Sequence, residues 1–568
     1  MTLLDERPWT RFYPDISEAV DVPDKTMYEL LANTAATYPD KTALVYLGRR
    51  ISFKALLREI DRCAAALAGQ GLRAGDSVLL SMPNVPNTII LFYAVNRLGA
   101  RAVMTHPLSS PTELRHYLNT ANARWAVTLD MFYWRLAEIL PDTLCEKVLI
   151  AKVSDYLTNP KKIGFQVTKG RKVNPVPHDD PKLIRWRDLM RGAKPASGYE
   201  RAIQPADGAV VLFSGGTTDM PKGIELSSAA FNALAVSMQA ITGLTQGHTV
   251  LTILPVFHGF GLGLCVHTTL TAGACPILVP EFSARIYIDN LLKYQPSFIA
   301  GVPTLFQALL AHPKFKKVDF SKLQGAYSGG DSLTPDLKHR FDTAIKELGG
   351  QVEVLEGYGL TECVTACALS PAAHYRENAV GVPIPGILMK IADPVSGAPL
   401  PPGADGEICV TGPTLMNGYV NDPEATAQTL RRHDDGLTWL HTGDIGMMDE
   451  DGYLYFRGRQ KRIIKVSGVS VYPAQIEQVL EASPLVRRAC AIGTPDEYQM
   501  ASVKAFIILA DGVAADDTTA DELRKHCAKH LIKWAVPRAF AFRDELPTTL
   551  VGKVAYTELE KEEQPQSE

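Results

Sequence analysis

Between Thr26 and Thr128 the chain alternates short apolar runs with stretches in which apolar residues recur every three or four positions. Runs such as Ser77 to Ser81 and Trp125 to Thr128 predict buried strands, and the periodic stretches predict amphipathic helices. Hydroxyl residues mark the helix starts: Thr26 caps a helix through Tyr38, Ser52 one through about Gln70, and Ser110 one through Ala121. Such alternation predicts an α/β layer structure. From Leu226 to Pro280 there is no Asp, Glu, Lys or Arg. Pro255, repeated glycines and interspersed Ser, Thr and Gln break that stretch into pieces shorter than a bilayer span, so it predicts buried core. Within it, Ser227 or Ser228 starts an apolar helix ending near Gly243, and Leu251 to Phe257 predicts a strand leading into His258. Beyond Gln460 the pattern predicts a smaller α+β unit, with a helix from Ala474 to about Ala482 and strands near Val486 to Ile492 and Ser502 to Leu509.

At 568 residues the chain is long enough for more than one domain, and a net charge of -4 predicts no general affinity for nucleic acid. Its nine cysteines are scattered, and the closest pair, Cys363 and Cys367, matches no metal knuckle, so reduced thiols in a cytoplasmic protein are expected. The first residues lack the basic start and apolar run of a signal peptide. Residues 145–195 form a basic insertion in which Phe165 and Trp186 interleave with lysines and arginines. That segment predicts a solvated surface excursion; its sharper reading is peripheral contact with anionic lipid at the inner face of the membrane.

The most informative stretch is Phe213-Ser-Gly-Gly-Thr-Thr-Asp-Met-Pro-Lys-Gly223. A short strand, Ala209 to Phe213, enters it and another, Ile224 to Leu226, leaves it. Gly215 and Gly216 let successive N–H groups converge on an anion, Ser214, Thr217 and Thr218 add hydroxyl donors, and Lys222 adds charge. A polyphosphate fits such a loop. It is not the Walker pattern, because the spacing to the lysine differs and a strand follows. Glu356-Gly-Tyr-Gly-Leu-Thr-Glu-Cys363 sets an aromatic that can stack on a purine beside glycines, a hydroxyl and a carboxylate.

These segments resemble the adenylate-forming acyl-CoA synthetases, whose phosphate loop reads Ser/Thr-Ser-Gly-Thr-Thr-Gly-x-Pro-Lys-Gly. The resemblance covers nearly the whole chain in family order. It implies a large multi-layered adenylation domain over residues 1–459 and a small mobile α+β domain over 460–568. By the same resemblance Tyr358 flanks adenine beside Gly329, Gly330, Glu356 and Gly357, and Thr361 contacts the α-phosphate. Glu362, with Thr217, holds Mg²⁺. Asp444 and Arg459 bind the ribose, and Lys465 reaches the nucleotide in one orientation of the small domain. His258, Val302, Gly330 and Gly357 are placed at the acyl pocket. Lys461 is the hinge, Gly468 faces the coenzyme A tunnel, and Lys553 is the C-terminal catalytic lysine. Three residues depart from the pattern: Gly215 stands where the family usually has Ser, Asp219 where it usually has Gly, and Asp331 where it usually has an uncharged residue. Two like charges about 4 Å apart cost roughly 4 kcal/mol at an effective dielectric near 20, so Asp219 must face solvent or a cation or weaken ATP binding.

The implied activity is ATP-dependent activation of a medium- or long-chain fatty acid, then thioester formation with coenzyme A. An aryl-acid ligase, transfer to a carrier-protein pantetheine, and a weakened binding homologue are the alternatives. The resemblance also leaves room for a homodimer.

Overall fold

The computed structural model describes residues 3–13, 15–17, 20–167, 173–177, 179–194, 203–214, 220–281, 283–466, 469–496, 500–548 and 554–563. Hydroxyl caps start the early helices where the sequence sets them. Thr26 and Ser110 each close a full capping box, with Glu29 and Glu113, on the helices Met27–Thr37 and Pro111–Thr120. Ser52 caps Phe53–Gly69, and Ser227 caps Ser228–Thr242, which ends on Gly243 in the left-handed region.

Two large mixed sheets form the body of the N-terminal part, nine- and eight-stranded among the described residues. In the nine-stranded sheet Phe298–Gly301, Gly325–Gly329 and Val354–Gly359 run parallel, with Ser328 opposite Glu356 and Gly329 opposite Gly357. Their carboxyl ends are therefore level, the position at which α/β sheets bind ligands. The eight-stranded sheet carries Gly208–Phe213 beside its antiparallel partner Gly223–Ser227. A third, antiparallel sheet contains Gly406–Thr411, Thr438–Met448 and Leu454–Arg459.

The basic stretch is built into the eight-stranded sheet rather than looped off it. Lys147–Ala151 and Leu183–Arg185 extend that sheet by two parallel edge strands. Trp186 is buried, Arg187 pairs with Asp155 at 3.3 Å, and Arg185 donates to the Val176 and Pro177 carbonyls. Lys169, Arg171 and Lys172 lie outside the described residues.

The strand expected over Leu251 to Phe257 is shorter, Thr249–Thr252, and Phe260–Thr268 forms a π-helix. Thr268 Oγ1 donates to Gly263 O at 2.9 Å and Thr269 Oγ1 to Leu264 O at 3.3 Å, hydroxyl bonds that follow the wider five-residue turn.

From Ile464 onward the chain packs its own cores. One gathers Ile464, Ile476, Leu480, Ala505 and Leu523; the other centres on Phe506 and Leu559. The helix Pro473–Glu481 packs against Val486–Asp496, which pairs with Met500–Leu509.

Candidate active site

The neck of the phosphate loop is closed by two hydrogen bonds. Ser214 N–H donates to Lys222 O at 3.0 Å, and Lys222 N–H donates to Ser214 Oγ at 3.1 Å. Gly215, Gly216, Thr217, Thr218 and Asp219 lie outside the described residues. Lys222 Nζ stands 4.9 Å over the Tyr419 ring and 4.0 Å from Asp422. The Tyr419 hydroxyl in turn donates to Glu362 Oε1 at 2.9 Å. Lysine, phenol and carboxylate thus form one line between the two motifs.

Burial pushes the Glu362 carboxyl above its ordinary value, opposed by hydrogen bonds from its own N–H and Tyr419. A hard dication at this oxygen would restore the charged form, so the donor set fits Mg²⁺.

A cavity of about 790 Å³ opens at the carboxyl ends of the parallel strands. Ser214, Gly329, Gly330, Glu356, Gly357, Tyr358, Thr361, Glu362, Asp444 and Arg459 all line it. The parallel register sets Gly329 level with Gly357, while Ser214 comes from the eight-stranded sheet and Asp444 and Arg459 from the antiparallel one. The Tyr358 hydroxyl donates to Asp444 Oδ2 at 2.7 Å, and Arg459 Nε lies 3.4 Å from Asp444 Oδ1. Burial, then the charge of Asp444, holds the Tyr358 phenol protonated.

Two partners that the motifs did not reveal brace this end. Glu407 Oε2 accepts from His441 Nδ1 at 2.7 Å, and its Oε1 accepts from Gly443 N–H at 3.0 Å. Burial alone would raise Glu407, but these bonds hold it below its ordinary value. The turn that presents Asp444 is thereby fixed.

Between the two motif strands the chain makes a tight turn at Val364, with φ 65° and ψ -59° and Thr365 N–H donating to Cys363 O at 2.7 Å. That is a γ-turn with positive φ, a strained conformation for a β-branched residue. The turn is held from both sides. A Cβ at Gly259 would meet Val364 O at 1.7 Å, and one at Gly359 would meet Thr365 O at 1.5 Å.

Of the residues expected at the acyl pocket, His258 lines the cavity and its Nδ1 accepts from Phe260 N–H at 3.2 Å. Val302 is not in the wall: it caps the helix Pro303–Ala311, and Ala300 lines the cavity instead. His106, Tyr117 and Phe257, which carry no motif, also line it. The wall also includes Met238, Leu244, Val250, Leu264, Cys265 and Phe298, with Thr242, Thr268 and Thr269 among them.

From the C-terminal lobe, Arg462, Glu477, Glu481, Arg488 and Val554 reach the same cavity. Lys465 does not line it; it is exposed on the strand Ile464–Val466, whose neighbours Ile464 and Val466 face the lobe core instead. Lys461 lies in the 3₁₀ turn Gln460–Arg462, while its side chain, Gly468 and Lys553 lie outside the described residues.

The model of the AMP-binding enzyme family matches residues 31–420, and that of the AMP-binding enzyme C-terminal domain matches 475–553. The chain belongs to the AMP-binding enzyme family. It is an adenylate-forming ligase, with a large N-terminal domain and a smaller C-terminal one. Similar members include a long-chain-fatty-acid–CoA ligase of Bacillus subtilis, 34% identical with 98% of each chain covered. Another of the same description, from Escherichia coli O6:H1, is 32% identical, again over 98% of each. Among solved structures, an ATP-bound RpMatB–BxBclM chimera superposes with a TM-score of 0.83 at 26% identity, covering 96% of this chain and 100% of its own. Among the described residues no helix of this family member is long and apolar enough to cross a membrane.

Proposed function

We propose that this enzyme activates a medium- or long-chain fatty acid with ATP through a bound acyl-adenylate, then passes the acyl group to coenzyme A, releasing AMP and pyrophosphate. The observation that carries the choice of acid is the part of the cavity wall around Thr242, Thr268 and Thr269. Thr242, Thr268 and Thr269 each donate their hydroxyl to a main-chain carbonyl four or five residues back. Their protons are thus engaged within the helices, and the side chains around them, Met238, Leu244, Val250, Leu264 and Phe298, are hydrocarbon or thioether. An alkyl chain loses no hydrogen bond on entering it, whereas each hydroxyl of an aryl acid gives up its water beside threonines whose own protons are already engaged. The long-chain ligases named above agree with this reading.

In the first half-reaction a carboxylate oxygen attacks the α-phosphorus and the bond to the β-phosphate breaks. Tyr358 and Asp444 are assigned to hold the nucleoside and Thr361 to meet the α-phosphate; all three line the cavity. Lys222 and the loop amides would steady the departing pyrophosphate. Glu362, with Thr217, would hold Mg²⁺, which would supply charge neutralisation on the phosphates. Lys553 is assigned to orient the attacking oxygen. In the second half-reaction the coenzyme A sulfur attacks the acyl carbon and AMP leaves. For this step the lobe beyond Lys461 is assigned to turn about that residue and bring Gly468 to the thiol channel, with the domain boundary at 459/460. Peripheral lipid contact is assigned to the segment around Lys162 and the exposed Ile163; liposome flotation unchanged by reversing four charges there would remove it.

Pyrophosphate release across alkyl acids of increasing length and across hydroxylated aryl acids tests the substrate class. Alkyl acids of medium or greater length should be preferred at least tenfold in kcat/KM; an equal or better response to aryl acids rejects the assignment.

A further inference from the structure

The turn Gly330-Asp-Ser332 lines the cavity, and Asp331 there meets the other lobe. Its Oδ1 accepts from Ser332 N–H at 3.0 Å, and its Oδ2 accepts from Arg488 at 2.6 Å. The Arg488 Nε also lies 3.7 Å from Glu481 Oε1, which accepts the Ala489 N–H at 3.0 Å. The turn itself is anchored beneath by Glu356, whose Oε1 accepts Leu333 N–H at 2.9 Å. One guanidinium therefore sits between a carboxylate of the N-terminal part and one of the C-terminal lobe, and its side chain is only 17% exposed.

The lobe has cores of its own, and its contacts at the cavity are largely polar: Arg488 with Asp331, and Gln478 with Asn378. Contacts of this kind between separately packed units hold them together loosely. Remove the arginine and Asp331 and Glu481 confront each other across the opening, with Glu356 behind them. Remove Asp331 and Arg488 keeps Glu481. The two losses are unequal, and the pair has a direction.

We propose that Asp331 and Arg488 form a clasp that holds the C-terminal lobe closed over the cavity, with both acting as positioning residues for the chemistry inside it. This rests on the adenylate-forming reading for its kinetic consequence but not for its structural one. An acidic residue at position 331 then serves lobe closure rather than substrate contact.

The test uses the full chain labelled for interlobe energy transfer at Lys346→Cys and Lys529→Cys. Both positions are exposed, and the nine native cysteines are buried, so labelling is selective. Asp331→Asn should lower transfer efficiency, and Arg488→Met should lower it further. Arg488→Lys should recover most of the signal, and the double variant should be no more open than Arg488→Met alone. In parallel, Asp331→Asn should slow acyl-adenylate formation three- to tenfold, and added salt should narrow its difference from the unmodified chain. Unchanged transfer in both single variants, or strictly additive effects in the double, overturns the clasp. Altered transfer in a protein that makes no acyl-adenylate from any acid would uphold the clasp and reject the functional reading instead.

Discussion

Gly359 and Gly259 show how narrowly single residues define this site. Both lie against main-chain carbonyls of the turn around Val364, at distances no Cβ can share. Gly359→Ala is expected to cost about 3 kcal/mol through forced displacement of that turn. It should also raise KM for ATP, because Thr361 and Glu362 precede the turn directly. Thermal unfolding and initial rates measured together check this; a variant with unaltered melting and KM would contradict the packing described. His267 makes a different point. Its Nε2 meets Asn232 Oδ1 and its Nδ1 meets the Tyr93 hydroxyl, each at 2.9 Å. Asn232 gives its amide group to Lys25 O, so its oxygen accepts and the ring is neutral with the proton on Nε2. Burial lowers His267 from 6.5 to about 3. The unfolded chain takes up that proton below 6.5 and the folded one does not, so its contribution is complete above 6.5 and is lost as pH falls toward 3. Denaturant titrations should show stability falling by up to about 1.4 kcal/mol per pH unit over that window, and His267→Gln should flatten the slope. An identical slope in the variant would place the proton elsewhere.

The elements divide by how local their causes are. Thr26 and Ser110, each followed by glutamate, announced their helices because a capping box is written within four residues. The phosphate loop, Tyr358, Glu362 and Asp444 were legible as motifs, and the cavity brings together those that are described. The π-helix Phe260–Thr268 was not legible. Its packing is distant in sequence, since Gly259 and Gly263 admit Val364 from a turn about one hundred residues away. The threonines in the cavity wall read as polar interruptions of an apolar stretch, yet their hydroxyls turn back on the helices. Val302 was misplaced for a related reason: its strand carries Ala300 to the cavity and leaves Val302 at a helix start. Because the acyl wall depends on this π-helix, Leu264→Trp should shorten the preferred acid by several carbons while leaving KM for ATP within twofold. Chain-length profiles of pyrophosphate release would show it. An unmoved profile would mean that the alkyl chain runs elsewhere.

At the scale of the whole molecule, two separately cored units share one cavity, and each contributes ionisable groups to its wall. Lobe contacts of this kind leave little trace in sequence. Arg462 and Arg488 line the cavity whereas Lys465 is exposed outside it, and no local pattern distinguishes the three. If the lobe turns about Lys461, Lys461→Pro should spare acyl-adenylate formation and abolish thioester formation. Equal loss of both half-reactions would reject the hinge. The central claim is that nucleotide and acid meet in this single cavity and join there as a mixed anhydride. Its most direct measurement is a single-turnover quench of enzyme with ATP, Mg²⁺ and a long-chain acid in the absence of coenzyme A. About one equivalent of bound acyl-adenylate with matching pyrophosphate, consumed to AMP and acyl-CoA when coenzyme A is added, is the predicted result. An acyl phosphate with ADP, or no activated acid at all, would contradict it.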